Sequence, residues 1–423
     1  MSKNTFEIKE GVKAHFIKTD LFKTNLICLM LTVPMKKEDV TKNTLIPFLL
    51  KRGTTNLIDQ YQISEKLEGM YGAVYDCGID KVGDNQLIKF YIESVNDNFL
   101  PEKCDILKQS LDSIFEIVFN PLMENGKFKE EFLDVEKNNL KKVIESKIDN
   151  KDKYAYDNCI SAMYNNSGFG IYKYGYIEDL EKITLEDISN HYKKLIDTAK
   201  IDIYISGDIN EESTKKILEE NENIIRLNSR KENLKISDNS DKKPVQEVNI
   251  VEEKMNINQG KLVMGLDVFS NQENIHNIGL VYNAILGDGA NSMMFQNVRE
   301  KESLAYSARS NFIKQKQNIF IRCGIEIENY EKAVEVIKEQ LKNIEDGNFS
   351  DKDIENAKKY LISSIQSIET EQDTQIVYYI GQELSKTDYT IEEYIEKINK
   401  VNKQEIIDFA KTVKLNTIYF LRN

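Results

Sequence analysis

Among its 423 residues the chain has no tryptophan, only 5 prolines and only 5 cysteines. Cys28, Cys77, Cys104, Cys159 and Cys323 are odd in number and scattered, and no C-x-x-C pair occurs. That argues against a disulfide framework and a cysteine-held zinc, and it fits a reducing cytoplasm. Histidine is scarcer still, with His15, His191 and His276 only. No two of them stand four apart, the spacing that would put both on one helix face around a metal ion. Each is expected as a surface or partly packed imidazole: His15 in a strand, His191 late in a helix, His276 in a polar turn. A long apolar run is also missing. Leu26–Pro34 is too short to cross a bilayer and reads as a buried strand. Met1–Gly11 is polar and charged, so no secretory leader is expected. Positive charge is in deficit as well. A formal net charge of −13 opposes what a phosphate backbone demands, which excludes a nucleic-acid surface.

What is present is ample material for folded domains. With 40% hydrophobic and 30% charged residues, the composition is that of an ordinary soluble protein, and the length allows two or three cores. The chain also repeats itself at an offset of about 230 residues. Phe90-Tyr-Ile-Glu-Ser, followed by a helical pattern from Leu100, is echoed by Phe320-Ile-Arg-Cys-Gly and a helical pattern from Tyr330. Lys182-Ile-Thr-Leu-Glu-Asp-Ile and Lys400-Val-Asn-Lys-Gln-Glu-Ile each open a helix that leads to a closing strand, Ile201–Ser206 and Thr417–Leu421. The order of elements therefore indicates two duplicated domains, residues 1–227 and 247–423. Residues 228–246, polar and carrying a proline, read as an exposed linker. Long helices are expected over Pro101–Val118, Lys129–Asn150, Asn329–Asp346 and Asp351–Glu369, with one more over Asn210–Leu227. Strands and helices in blocks predict an α+β fold: in each domain a mostly antiparallel sheet packed against helices.

The segment Met293–Arg309 holds Arg299 and Tyr306 seven residues apart. Spacing alone would suit a surface ion pair and a core aromatic equally well. In its surroundings (Phe295, Val298, Leu304, Ala305, Ser307) the segment resembles the C-terminal signature of the insulinase/pitrilysin metallopeptidases. Leu286-Gly-Asp-Gly-Ala-Asn-Ser-Met-Met-Phe, Gln259-Gly-Lys-Leu, Lys51-Arg-Gly-Thr, Leu67-Glu-Gly-Met-Tyr-Gly-Ala and Ile205-Ser-Gly-Asp-Ile are similar to further family segments, in the family's order. The resemblance spans nearly the whole chain. The glycine turn at Leu286–Ser292 lacks a G-K-[ST] ending and is read as close packing at a helix start, not as a phosphate cradle. The tyrosines of 154–176 and the acidic pairs Glu130-Glu131 and Glu392-Glu393 are read as packing and as solvated helix faces.

The resemblance implies a zinc held by H-x-x-E-H on a first-domain helix, with a glutamate from a later helix. Aligned on Arg52-Gly-Thr, those positions fall on Thr44, Pro47 and Phe48, with the distal glutamate near Val143. No metal and no other cofactor is therefore expected in this chain, and Pro47 is expected to kink or shorten its helix. In two-half members of the family, the arginine and tyrosine come from the half without zinc and contact the scissile carbonyl or adjacent backbone. The resemblance thus implies a catalytically incomplete subunit that lends Arg299 and Tyr306 to a homologous, zinc-bearing partner acting on an unfolded peptide. Self-association as a homodimer through the same surfaces is a second arrangement. The alternatives are a peptide-binding or scaffold protein without chemistry, and an independent hydrolase with another metal or nucleophile, which the scarcity of histidine disfavours.

Overall fold

Residues alternate along strand β3 (Thr24–Pro34). Ile27, Leu29 and Leu31 enter one apolar cluster, while Leu26, Cys28 and Met30 enter another. Alternation with both faces covered makes the strand read as a continuous apolar run. It lies inside a sheet completed by β1 (Lys3–Lys9), β2 (Val12–Lys18), β4 (Val74–Val82), β5 (Asn85–Val95) and β6 (Lys200–Gly207). Their order is β1-β2-β6-β3-β5-β4, and every pair is antiparallel except β2 with β6. This computed structural model describes residues 3–165, 167–231, 242 and 244–423.

The second sheet comprises β7 (Asn249–Lys254), β8 (Gly260–Val268), β9 (Ala305–Ile313), β10 (Asn318–Ile325) and β11 (Val413–Arg422), in the order β7-β11-β8-β10-β9. Here too one pair, β7 with β11, is parallel. With β1 set aside, the two sheets have the same order, strand for strand. The helices follow suit. Lys37–Leu50 corresponds to Ile275–Leu286, Ile106–Phe119 to Tyr330–Glu345, Glu130–Glu145 to Asp351–Ser367, and Leu185–Thr198 to Lys403–Lys411. The fold is α+β with two homologous domains. Phe90 and Phe320, the anchors of the sequence repeat, sit in the equivalent strands β5 and β10.

Two compact units emerge, and neither is contiguous. Unit 1 contains Met1–Ser146, Ile171–Ile236 and Ile368–Asp388; unit 2 contains Lys147–Gly170, Ser237–Ser367 and Tyr389–Asn423. The equivalent helices Lys151–Met163 and Gln372–Ser385 are thus exchanged, each belonging to the unit of the other half. In unit 1, Ile376, Tyr379, Ile380 and Leu384 of the incoming helix pack on Leu26, Cys28, Met30 and Tyr204 of the sheet. In unit 2, Ala155, Cys159 and Ile160 pack on Val263, Phe320 and Tyr419.

Several boundaries differ from expectation. Residues 101–105 stay out of the helix because the Asp97 carboxylate accepts from the Cys104 and Ile106 N–H groups, both at 2.9 Å, and so sets the start at Ile106. The stretch 210–227 is two helices, Glu211–Glu220 and Glu222–Arg226, because Asn221 is extended and caps the second. The helix over Lys37–Leu50 runs through Pro47 rather than ending there. Its proline lies in the last turn, where the missing N–H leaves the rest of the ladder intact. His276 is in the first turn of a helix, not in a loop. Of the expected exposed linker, Arg230 is buried, and its guanidinium donates to the Ile196 and Ala199 carbonyls at 2.5 and 3.3 Å. Most of the remainder lies outside the described residues. Among the described residues no helix is long and apolar enough to cross a membrane.

Candidate functional site

In unit 1 the degenerate metal positions sit on two packed helices. Thr44 and Pro47 are buried on helix Lys37–Leu50, while Phe48 and Val143, the latter from helix Glu130–Glu145, pack half-buried against the main core. None offers an imidazole or a carboxylate, the donors that a tetrahedral zinc of this type requires. Among the described residues there is no group of three or more His, Cys, Asp or Glu side chains able to hold a metal ion. The nearby Cys77 thiol donates to the Pro47 carbonyl at 3.9 Å, and burial pushes it up to about 11, away from the thiolate form that binds metal. The donor set does not fit zinc.

Hydrogen bonds fill the place instead. Thr44 Oγ1 donates to the Val40 carbonyl at 2.9 Å and accepts from Gln86 Nε2 at 3.2 Å. Gln86 Oε1 in turn accepts from Asn43 Nδ2 at 2.9 Å, and Asn43 Oδ1 accepts from His191 Nε2 at 2.6 Å. A satisfied buried network of this kind rigidifies a core and leaves no open ligand position. Burial holds His191 down at about 4, against the opposing pull of Asp39, so the ring is neutral. Beside it, the Arg52 guanidinium pairs with fully buried Glu136, whose second oxygen accepts from Asn139 Nδ2 at 3.0 Å. Glu136 lies seven residues before Val143 on the same helix. The sequence signal was a carboxylate inside the apolar stripe of Leu133 and Leu140.

His15 departs from expectation. It is fully buried on β2, stacked on Tyr204 at 4.3 Å, with Nε2 donating to Asp202 at 2.9 Å and Nδ1 accepting from Thr5 at 3.1 Å. Burial would raise Asp202, but the His15 hydrogen bond and the Lys200 charge outweigh it and hold the carboxyl below the usual range. Lys200 also reaches Glu383 of the exchanged helix at 3.1 Å. His15 is part of the docking of that helix, not a ligand.

Arg299 and Tyr306 belong to unit 2. Arg299 is on a π-type helix, Met294–Lys301, and its guanidinium lies over the Phe295 ring at 4.6 Å, with Nε 3.4 Å from Glu300. Single π-type turns are rare and recur at functional positions. Ser303, at φ 51°, reverses the chain, and the Leu304 N–H donates to the Val298 carbonyl at 3.0 Å, so β9 starts against the last turn of this helix. Gly287 permits the close approach behind it, since a Cβ there would meet Ser310 at 2.6 Å. Tyr306 is the extra residue of a β-bulge on edge strand β9, because Ser307 pairs with Gly324 and Ala305 with Ile325. The bulge aims its ring outward. Tyr306 is 64% exposed, so it is not the core aromatic that spacing alone allowed, whereas the Arg299 side chain, 44% exposed beside Glu300, does form a surface ion pair. The Tyr306 hydroxyl donates to the Glu326 carboxylate, which also pushes its pKa above the ordinary tyrosine value. Glu326 escaped the sequence reading because only the strand pairing brings it to Tyr306. Two polar clefts of unit 1, about 400 and 430 Å³, are lined by none of these residues.

Comparisons with known proteins agree with this geometry. Residues 182–361 match the protein-family model described as Peptidase M16 inactive domain. The probable inactive metalloprotease YmfF of Bacillus subtilis (strain 168) is 29% identical over 416 residues, covering 97% of this chain and 96% of YmfF. A crystal structure of a conserved protein from Enterococcus faecalis V583 superposes with a TM-score of 0.91 at 26% identity, covering 100% of this chain and 99% of that one. A peptidase M16 inactive domain from Pseudomonas fluorescens shares the fold, with a TM-score of 0.79 at 16% identity and coverage of 100% and 98%. Two homologous α+β domains whose metal positions carry Thr, Pro, Phe and Val define a catalytically inactive, peptidase-like protein. Over residues 182–361 the chain is similar to the peptidase M16 inactive domain, and over nearly its whole length to a relative described as a probable inactive metalloprotease.

Proposed function

We propose that the chain is the metal-free subunit of a two-chain peptidase, contributing Arg299 and Tyr306 to a homologous partner that carries the zinc. The carrying observation is a contrast. Every metal position has become a packed or hydrogen-bonded residue, while the opposing pair stays exposed at a helix end and an edge-strand bulge. Arg299 supplies a permanently charged planar fork, suited to two carbonyl acceptors of a peptide backbone. Tyr306 supplies a hydroxyl that donates to an oxygen gaining negative charge, once it leaves Glu326. The substrate class is an extended, unfolded peptide, and the free thiols at all five cysteines fit a reducing cytoplasm.

The test mixes the purified chain with its zinc-bearing relative and follows cleavage of an unstructured peptide. Arg299→Ala and Tyr306→Phe should each lower turnover by about 10²–10³-fold without preventing assembly, the range for losing one transition-state donor. Unchanged turnover with either variant rejects the proposal. One observation favours a second reading, a peptide-binding or scaffold protein: the Tyr306 hydroxyl is already engaged by Glu326. In that case the variants would change peptide affinity or assembly, and no mixture would cleave.

A further inference from the structure

Arg309 of edge strand β9 and Arg322 of β10 are direct cross-strand partners, so their side chains share one face of the second sheet. Two like charges placed opposite each other repel and need a compensating anion. Asp152, in the first turn of helix Lys151–Met163, provides it. A single oxygen, Oδ2, accepts from Arg309 Nη2 at 2.5 Å and from Arg322 Nη2. Lys261 of β8 lies on the same face, opposite Gly324, which adds a third cation to one carboxylate.

The two arginines are also not satisfied. The Arg322 guanidinium is stacked on the Tyr156 ring at 4.7 Å, its side chain is 15% exposed, and its Nε is buried with no partner. Arg309 is held on one side only, and its side chain is 59% exposed. One fork is thus largely buried and the other exposed. A guanidinium offers five donors in a plane that matches a carboxylate bidentately. One Asp152 oxygen shared between two forks leaves most of those donors unused. Arg309 is on edge strand β9, whose outer side pairs with no other strand among the described residues.

We propose that Arg309 and Arg322 form a receptor for the carboxylate of a peptide ligand, with Asp152 as a built-in stand-in that shares or yields the site when the ligand arrives. The carboxylate comes either from a peptide C-terminus or from an Asp or Glu side chain. This assignment does not depend on the roles of Arg299 and Tyr306, and it needs neither a second chain nor turnover.

Three fluorescent peptides of one neutral, unstructured sequence test it by anisotropy with the full chain. The first ends in a free carboxylate, the second is amidated and carries one internal glutamate, and the third is amidated and neutral. One of the first two should bind about tenfold more tightly than the third, and which one identifies the source of the carboxylate. Arg309→Gln, at an exposed position that folding tolerates, should erase that difference. Arg309→Lys, which keeps the charge but not the fork, should restore it only in part. Asp152→Asn should tighten carboxylate binding several-fold, because the internal competitor is gone. If Arg309→Gln leaves the difference intact, or no carboxylate peptide outbinds the neutral one, the receptor does not exist. A properly folded Asp152→Asn chain, verified by its melting curve, that binds no more tightly overturns the stand-in role. Inorganic phosphate competing more strongly than acetate overturns the carboxylate class.

Discussion

At the scale of single residues, the chain answers a lost metal site with polar packing. His191 shows the consequence for stability. Burial drives it from the ordinary 6.5 down to about 4, with Lys42 and Lys194 in the same direction and Asp39 opposed. A base whose folded value is depressed costs nothing above its unfolded value. As pH falls from about 6.5 towards 4, the unfolded chain takes up a proton that the folded chain refuses, and stability is lost. Below about 4 both states are protonated and the loss levels off. The difference of about 2.5 pH units corresponds to at most about 3.5 kcal/mol. Urea unfolding at pH 7.5 and 4.5 should therefore show a larger loss for the parent than for His191→Gln, which keeps a donor for Asn43. Equal losses would mean that His191 is not buried neutral. That Thr44, Pro47, Phe48 and Val143 carry no imidazole or carboxylate is read from residue identities alone. The outward aim of Tyr306 and the buried carboxylate of Glu136 are not: the first depends on a bulge between β9 and β10, and the second on Arg52 from the turn that follows helix Lys37–Leu50.

At the scale of elements, what the sequence shows is order, and what it hides is where a helix docks. The repeat anchored on Phe90 and Phe320 gave the right strands because period-two burial is written locally. The helix starts that failed, at residues 101–105 and at Asn221, were decided by single side-chain caps. Nothing local marks helix Gln372–Ser385 as belonging to unit 1. Its buried side, Ile376, Tyr379, Ile380 and Leu384, would fit any apolar sheet face. Specificity comes from polar contacts: Gln372 Nε2 donates to the Ser206 carbonyl at 2.9 Å, Ser206 Oγ to Gln375 at 3.0 Å, and Lys200 to Glu383 at 3.1 Å. Ile380→Ala should cost about 2–4 kcal/mol and speed amide exchange in β2, β3 and β6. Val377→Ala, at a 53% exposed position of the same helix, should change stability by less than about 0.5 kcal/mol. Similar effects of the two substitutions would show that the helix is not docked on that sheet face.

At the scale of the whole molecule, the exchanged helices make each unit depend on chain from both halves. Residues 1–231 alone would have β2, β3 and β6 but not helix Gln372–Ser385. The face formed by Ile17, Leu26, Cys28, Met30 and Tyr204 would then meet water, and the buried charges of Lys200 and Asp202 would lose their Glu383 neighbour. Residues 244–423 alone would have the second sheet but not helix Lys151–Met163, exposing Val263, Phe320, Tyr419 and Leu421. Exposed apolar faces of this kind drive aggregation or association. Each half expressed alone should therefore be insoluble, or soluble only in a loosely packed form that binds a hydrophobic dye. Co-expressed, the two halves should form a stable one-to-one complex, because each supplies the helix that the other lacks. The intact chain should unfold in a single transition, with probes placed in either sheet melting together. Size-exclusion chromatography of the co-expressed halves, beside each half alone, separates the outcomes. If both halves fold independently, with full near-ultraviolet circular dichroism and no tendency to associate, the exchange contributes nothing to folding and the duplication is of two self-sufficient domains.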